Sequence, residues 1–231
     1  MTHPRGIHHL AISTCDIKKQ IEFFSEVLGF ELVALFWMHG VPGAWHGFLR
    51  LNDRSYLALV HHPANAAIES KIGITHAGNG ASPCAGGTMQ HLAFDVEDEA
   101  QLLALRDRVR GCGIHAFGPI DHGFCKSIYF AGPEDLTLEV STSHAAIDGD
   151  SWIDPEVVEL AGISPDELAR YRHPVERKGS TSPVPQPPLD SPGPRLTYPA
   201  KVYARMVAMS DDYLLRTVSE TTPPVARHSR S

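Results

Sequence analysis

Between residues 6 and 142 the apolar positions recur at two periods, and the two periods follow one another in the same order twice. Gly6-Ile-His-His-Leu-Ala-Ile12 opens the first half and is echoed by Thr88-Met-Gln-His-Leu-Ala-Phe94. After the first copy, Asp16 to Leu28 places Ile17, Ile21, Phe24 and Leu28 at helical spacing, with Asp16 as a start signal and Gly29 as a stop. After the second, Glu97 to Arg110 carries Leu102, Leu105 and Val109 on one face and stops at Gly111. Short strand-like runs follow each helix. They are Phe30 to Phe36, Trp45 to Leu51 and Tyr56 to Val60 in the first half, and Ile114 to Phe117, Lys126 to Phe130 and Leu136 to Ser141 in the second. Turn residues separate them at Asn52-Asp53-Arg54-Ser55 and Gly132-Pro133-Glu134-Asp135.

The pattern predicts an α+β fold of two paired βαβββ modules, residues 6–62 and 88–142, within a domain spanning 1–144. Neither sheet can cover both of its faces alone. The two are therefore expected to join edge to edge or to pack into one curved, partly open barrel, with a concave face for a ligand. The joint, Pro63 to Gly87, is rich in Ala, Gly, Asn and Ser and reads as a long loop that covers the site or carries oligomer contacts. From Ala145 to Ser231 the pattern changes to a helical and Pro-rich extension. Pro155 to Arg172 reads as one or two short helices broken at Gly162 and Pro165, Ser180 to Pro199 holds seven prolines, and Ala200 to Ser219 is again helical.

Composition removes several functions from consideration. The chain has 231 residues, 42% hydrophobic and 20% charged, as an ordinary globular protein has. Its net charge is -7, with the basic residues scattered, so nucleic acid is not an expected partner. No apolar run reaches the roughly 20 residues of a membrane helix, and no apolar signal region follows Met1; a soluble, cytoplasmic protein is expected. Cys15, Cys84, Cys112 and Cys125 form no Cys-x-x-Cys pair and are expected to be reduced and mostly buried. Histidine is abundant, with 14, and several stand beside strand-like runs.

Strand alternation should send His8 and His9 to opposite faces, and the repeat selects His9, which precedes Leu-Ala-Ile as His91 precedes Leu-Ala-Phe. Glu139 lies between apolar residues in a strand expected to be central, where an ionised carboxylate needs positive compensation. Two imidazoles and one carboxylate facing one cavity are the donor set of a facial triad. Such a triad leaves positions open and favours Fe(II), with Zn, Mn, Ni or Co also compatible. Sliding the first repeat by 80 residues sets Leu59 opposite Glu139 and Leu49 opposite Tyr129, so no fourth protein ligand is expected from the first half.

Residues Gly6 to Thr142 resemble the vicinal oxygen chelate superfamily, which includes glyoxalase I, methylmalonyl-CoA epimerase, bleomycin-resistance proteins and type I extradiol dioxygenases. The resemblance implies paired modules with a divalent metal held by His9, His91 and Glu139. The stretch from Ile120 to Glu139 is similar to the extradiol signature, with His122, Ile128, Tyr129, Pro133 and Glu139 in order; Gly132 and Asp135 depart from it at turn positions. By that likeness Tyr129 would bond a catecholate oxygen, and His122 bound oxygen or substrate. The usual acid/base histidine is replaced by Ser55, leaving His61, His62 or His46 to substitute. The resemblance thus implies an Fe(II)-dependent extradiol dioxygenase acting with O2 on a catechol-like diol, with Phe36, Trp37, Trp45, Phe117 and Phe124 as apolar walls and a homo-oligomer as the assembly. The rival readings are a metal-dependent isomerase, epimerase or lyase of the glyoxalase type, and a non-catalytic protein that sequesters aromatic small molecules.

Overall fold

A computed structural model describes residues 3–175 and 182–225. One compact unit is made of Gly6–Met38 and Gly43–His173; the other gathers the N-terminal residues, His39–Pro42 and the chain from Pro174 onward. The first unit contains both modules. Module 1 runs β1 (His9–Thr14), α1 (Ile17–Glu26), β2 (Glu31–Trp37), β3 (Trp45–Asn52) and β4 (Ser55–His61). Module 2 runs β5 (Leu92–Asp95), α2 (Glu99–Gly111), β6 (Ala116–Asp121), β7 (Lys126–Ala131) and β8 (Thr137–Thr142). The order of elements is the one the periodicity predicts. The sheets are β1-β4-β3-β2 and β5-β8-β7-β6, each with one parallel and two antiparallel pairings. They are two open sheets rather than a closed barrel, and β1 and β5 each occupy a free edge.

Local chemistry explains the helix boundaries. Asp16 caps α1 by accepting from the Lys19 amide at 3.0 Å, and Asp98 caps α2 by accepting from Gln101 at 2.8 Å. Gly29 ends the first helix at φ +81, a conformation that side chains with a Cβ avoid. β6 begins two residues later than expected and runs to Asp121, because a bulge between Phe117 and Ile120 breaks the alternation across Gly118-Pro119.

One face of each sheet is packed under its helix. Ile12, Leu49, Leu57 and Leu59 of module 1 share a continuous core with Phe94, Ile128, Leu138 and Val140 of module 2. Phe24, fully buried, lies parallel to Phe30 at 6.1 Å and meets Phe94 edge-on at 6.2 Å, so α1 is packed against the second module. A polar clasp adds to this junction. Glu134, at φ 53 in the β7–β8 turn, accepts from the Cys15 amide and from buried Gln20 Nε2, both at 2.7 Å. Burial works to raise the Glu134 carboxyl, but bonds from Thr14, Gln20 and the Cys15 and Asp16 amides hold it below the ordinary range. A depressed carboxylate adds stability that is present above its unfolded pKa and lost as pH falls through its folded value. Glu134→Gln is therefore expected to cost about 1–3 kcal/mol at pH 7, and the gap from wild type should close toward pH 3; urea titrations at the two pH values check this.

The register corrects the slide used to compare the halves. Ala93 pairs with Glu139 as Ala11 pairs with Ala58, and Tyr129 pairs with Glu139 as Phe48 pairs with Ala58. The counterpart of Glu139 is thus Ala58 rather than Leu59, and that of Tyr129 is Phe48 rather than Leu49. A slip of one residue exchanges the faces of a strand. Ala58 supplies no ligand either, so the absence of a fourth donor from this strand stands.

After the modules come α3 (Gly149–Trp152), α4 (Pro155–Leu160) and α5 (Pro165–Arg172), the last with a Ser164–Glu167 capping box. The break at Gly162 and Pro165 matches expectation, while α3 is too short to leave a periodic signal. In the other unit the described part of the Pro-rich stretch, from Ser182 to Pro199, has no helix or strand; Ser180 lies outside the described residues. The expected helix from Ala200 to Ser219 is two, α6 (Ala200–Ala208) and α7 (Asp211–Thr217), because Ser210 starts a new helix by capping Tyr213. No helix among the described residues is long and apolar enough to cross a membrane. All four cysteines are free, and none is buried, contrary to expectation.

Candidate metal site

The face of module 2 away from α2 carries the site. Strand alternation puts Leu138 and Val140 into the core and turns Glu139 to the opposite face, directly across from Tyr129 on β7. The parallel pairing of Ala93 with Glu139 sets His91, just before β5, beside the same carboxylate. His91 Nε2 stands 2.9 Å from Glu139 Oε2. Glu139 is only 5% exposed, and its other oxygen accepts from Ser141 Oγ at 2.6 Å, with Ser127 Oγ 2.6 Å beyond. Burial works to raise this carboxyl, yet hydrogen bonds from Ser127, Ser141 and Tyr129 and the charge of His91 keep it depressed and ionised. The Tyr129 phenol is pushed up by burial and by the Glu139 charge. Its hydroxyl also meets His122 Nε2 at 3.0 Å, so His122, on the loop after β6, joins the group.

Gln90 decides the tautomer of His91. Its amide nitrogen donates to the carbonyls of Asn79 at 3.1 Å and Ser82 at 3.2 Å, which leaves Oε1 to accept from His91 Nδ1. Nδ1 therefore carries the proton in the neutral ring, and the Nε2 lone pair faces an ionised carboxylate. Two acceptors in that arrangement need a positive centre, either a second proton on the ring or a cation. For bonds of about 2.0–2.2 Å, neighbouring donors at a right angle stand about 3 Å apart, and the observed separation fits one ion.

Gln90 escaped the sequence reading, although the repeat contains the signal. His8 holds the equivalent position before His9 and meets its Nδ1 at 2.9 Å, so the residue preceding each candidate ligand braces it. His8 precedes the first strand residue, which is why it does not point away as alternation predicted. Gln90→Ala is expected to weaken divalent-metal affinity about 10–100-fold, the range for loss of an outer-shell partner; competition against a chelator at fixed pH checks it. The long joint contributes here as well. A Cβ on Gly80 would sit 3.4 Å from Tyr129 Cε1, so this loop lies over the site.

His9 is elsewhere. It stands exposed on the face of module 1 away from α1, with Phe48 at 5.7 Å, and the described residues include no group of three His, Cys, Asp or Glu side chains from one chain placed to hold a metal. The same face carries Phe36, His46 and Tyr56. His46 is half-buried between Phe36 and Phe48, and burial, with the nearby His9, lowers its pKa. On the other face Trp45 makes tilted ring contacts with Trp37 and with His61, Phe124 packs on Trp152, and Ser55 lines a cavity of about 300 Å³ with Leu10, Leu57 and Phe94. Phe117, opposite Tyr129, is the one expected wall residue on the same face as the His91–Glu139 pair.

Residues 6–140 match the Glyoxalase/Bleomycin resistance protein/Dioxygenase superfamily. Solved structures similar to the chain include a glyoxylase/bleomycin resistance protein/dioxygenase domain from Frankia sp. EAN1pec, 15% identical, TM-score 0.48, covering 62% of this chain and 100% of that one. A glyoxalase/dioxygenase from Nostoc punctiforme is 18% identical, with TM-score 0.45 and coverage of 61% and 92%. Lactoylglutathione lyase from Agrobacterium tumefaciens is 21% identical, with TM-score 0.42 and coverage of 65% and 98%.

Proposed function

Because the chain belongs to the Glyoxalase/Bleomycin resistance protein/Dioxygenase superfamily, whose members bind divalent metals, we propose that it is an Fe(II)-dependent dioxygenase of the extradiol type. Its substrate on this reading is a catechol-like aromatic diol. The ligands are His91 and Glu139 of one copy and His9 of a second copy, whose β1 edge is free to approach the free β5 edge of the first. Superfamily members are commonly oligomers that bind small molecules. The observation that carries the reading is His91 Nε2 held 2.9 Å from an ionised, buried carboxylate with the Tyr129–His122 pair alongside.

Bound Fe(II) would supply the open positions and the electrons that dioxygen chemistry requires. The protein groups have separate tasks. Tyr129, with a raised pKa, stays protonated and donates to a substrate oxygen. His122, within reach of that phenol, takes or returns its proton. Ser127 and Ser141 keep Glu139 in one orientation. The loop at Gly80 limits water above Tyr129.

Metal analysis of anaerobically purified protein, followed by O2 uptake with a panel of catechols, tests the proposal. Stoichiometric iron and catechol-dependent uptake are expected. Zinc or nickel without uptake would replace this reading by a carbonyl-polarising isomerase or lyase, and no bound metal would leave a sequestering protein.

A further inference from the structure

The loop that carries His122 lies outside the core. Asp121 pairs with Lys126, so His122 to Cys125 form the whole connection between β6 and β7, and Asp121, His122, Gly123 and Phe124 are all exposed. Two bonds shape the loop from within. The His122 amide donates to the Cys125 carbonyl and the Gly123 amide to Asp121 Oδ1, both at 2.8 Å. An exposed hairpin tip of this kind opens readily unless something packs on it. Trp152 of α3 does so. A Cβ on Gly123 would lie 2.8 Å from Trp152 Cζ2 and Cη2, and among the described residues nothing else beyond its chain neighbours comes within 4 Å of that position. Gly123 also stands at φ +86, so glycine serves both the turn and the close approach of the ring. Phe124, next in the loop, meets the same indole edge-on at 4.9 Å.

Trp152 is itself held in place. Its amide donates to the Asp148 carbonyl at 3.0 Å, Asp148 accepts from the Asp150 amide at 3.0 Å and from Ser151 Oγ at 2.6 Å, and Arg172 at the end of α5 pairs with Asp150. The segment after the modules therefore reaches back to the β6–β7 loop, and it lies beyond residues 6–140 that match the superfamily. We propose that Trp152 is a positioning residue of the site: by packing on Gly123 and Phe124 it keeps His122 Nε2 3.0 Å from the Tyr129 hydroxyl. A proton can pass between substrate and His122 only while that geometry holds. The proposal rests on the dioxygenase reading for the step that His122 serves, while the clamp on the loop is independent of it.

The test compares the full-length wild-type chain with Trp152→Ala and Trp152→Phe, by residue-resolved amide hydrogen exchange and by catechol-dependent O2 uptake of the Fe(II)-loaded protein. Alanine is expected to speed exchange at the His122 and Gly123 amides about tenfold and to leave the Tyr129 and Glu139 amides as they were. It should lower kcat about 10–100-fold, with KM for catechol and iron content unchanged. Phenylalanine keeps a ring over the glycine and should fall between alanine and wild type in both measurements. Wild-type exchange at His122 and Gly123 in the alanine variant, or a rise shared equally by Tyr129 and Glu139, would overturn the proposal. So would faster loop exchange with kcat unchanged. A wild-type chain without catechol-dependent uptake would refute the dioxygenase reading, and the exchange measurement would still decide whether Trp152 holds the loop.

Discussion

Alanine in place of Glu139 is expected to remove divalent-metal binding and, with it, all catechol-dependent oxygen uptake, while the chain remains folded. The reasoning is local. Among the described residues Glu139 is the carboxylate that pairs with His91 Nε2, and it is held there by Ser141 and Ser127. Its removal deletes one of three proposed ligands, so the loss of affinity should exceed the roughly 10–100-fold that an outer-shell partner such as Gln90 is worth. The fold should tolerate the change because a buried charge goes with the side chain, and two hydroxyls that can bond to each other remain. Retention of metal at wild-type affinity by a folded Glu139→Ala chain would show that the ion is held elsewhere.

The largest effect on stability is expected at Phe24. Its side chain is fully buried and touches rings from both modules, Phe23 and Phe30 on one side and Phe94 on the other. Phe24→Ala leaves a cavity at the junction that neither sheet can close without moving the other. A cost of about 3–5 kcal/mol, or roughly 10 °C in Tm, should follow. Denaturant unfolding measures it, and a loss under about 1 kcal/mol would mean that the two modules are not packed through α1.

How much of this was legible in the sequence depends on how local each signal is. The helices were readable because Asp16, Asp98 and Gly29 punctuate them chemically, and the strands because one covered face imposes alternation. Periodicity ends β6 at Phe117, short of Asp121, because Gly118-Pro119 and a bulge interrupt that alternation. The fixed slide of 80 residues failed because it matches neither offset in the register, His91 following His9 by 82 residues and Glu139 following Ala58 by 81, and a single residue is enough to exchange Leu59 for Ala58. Glu139 and Tyr129 were recoverable as a cross-strand pair, and His122 from the signature that precedes them. The Gln90 brace was not, since its role depends on a loop reaching back to Asn79 and Ser82. Nor could periodicity say that His9 would stand apart from the other two, because the placement of one module on the other is set by core packing and the Glu134 clasp rather than by any local pattern.

The central claim, a metal held by His91 and Glu139 of one copy and His9 of another, is tested most directly by co-expressing differently tagged His9→Ala and Glu139→Ala chains and purifying the mixed assembly through both tags. Each variant alone has no complete ligand set, whereas in the mixed pair intact His9 from one chain meets intact His91 and Glu139 from the other. Recovery of one tightly bound divalent ion per pair is the expected result. A mixed assembly that binds no more metal than either variant alone would contradict the account.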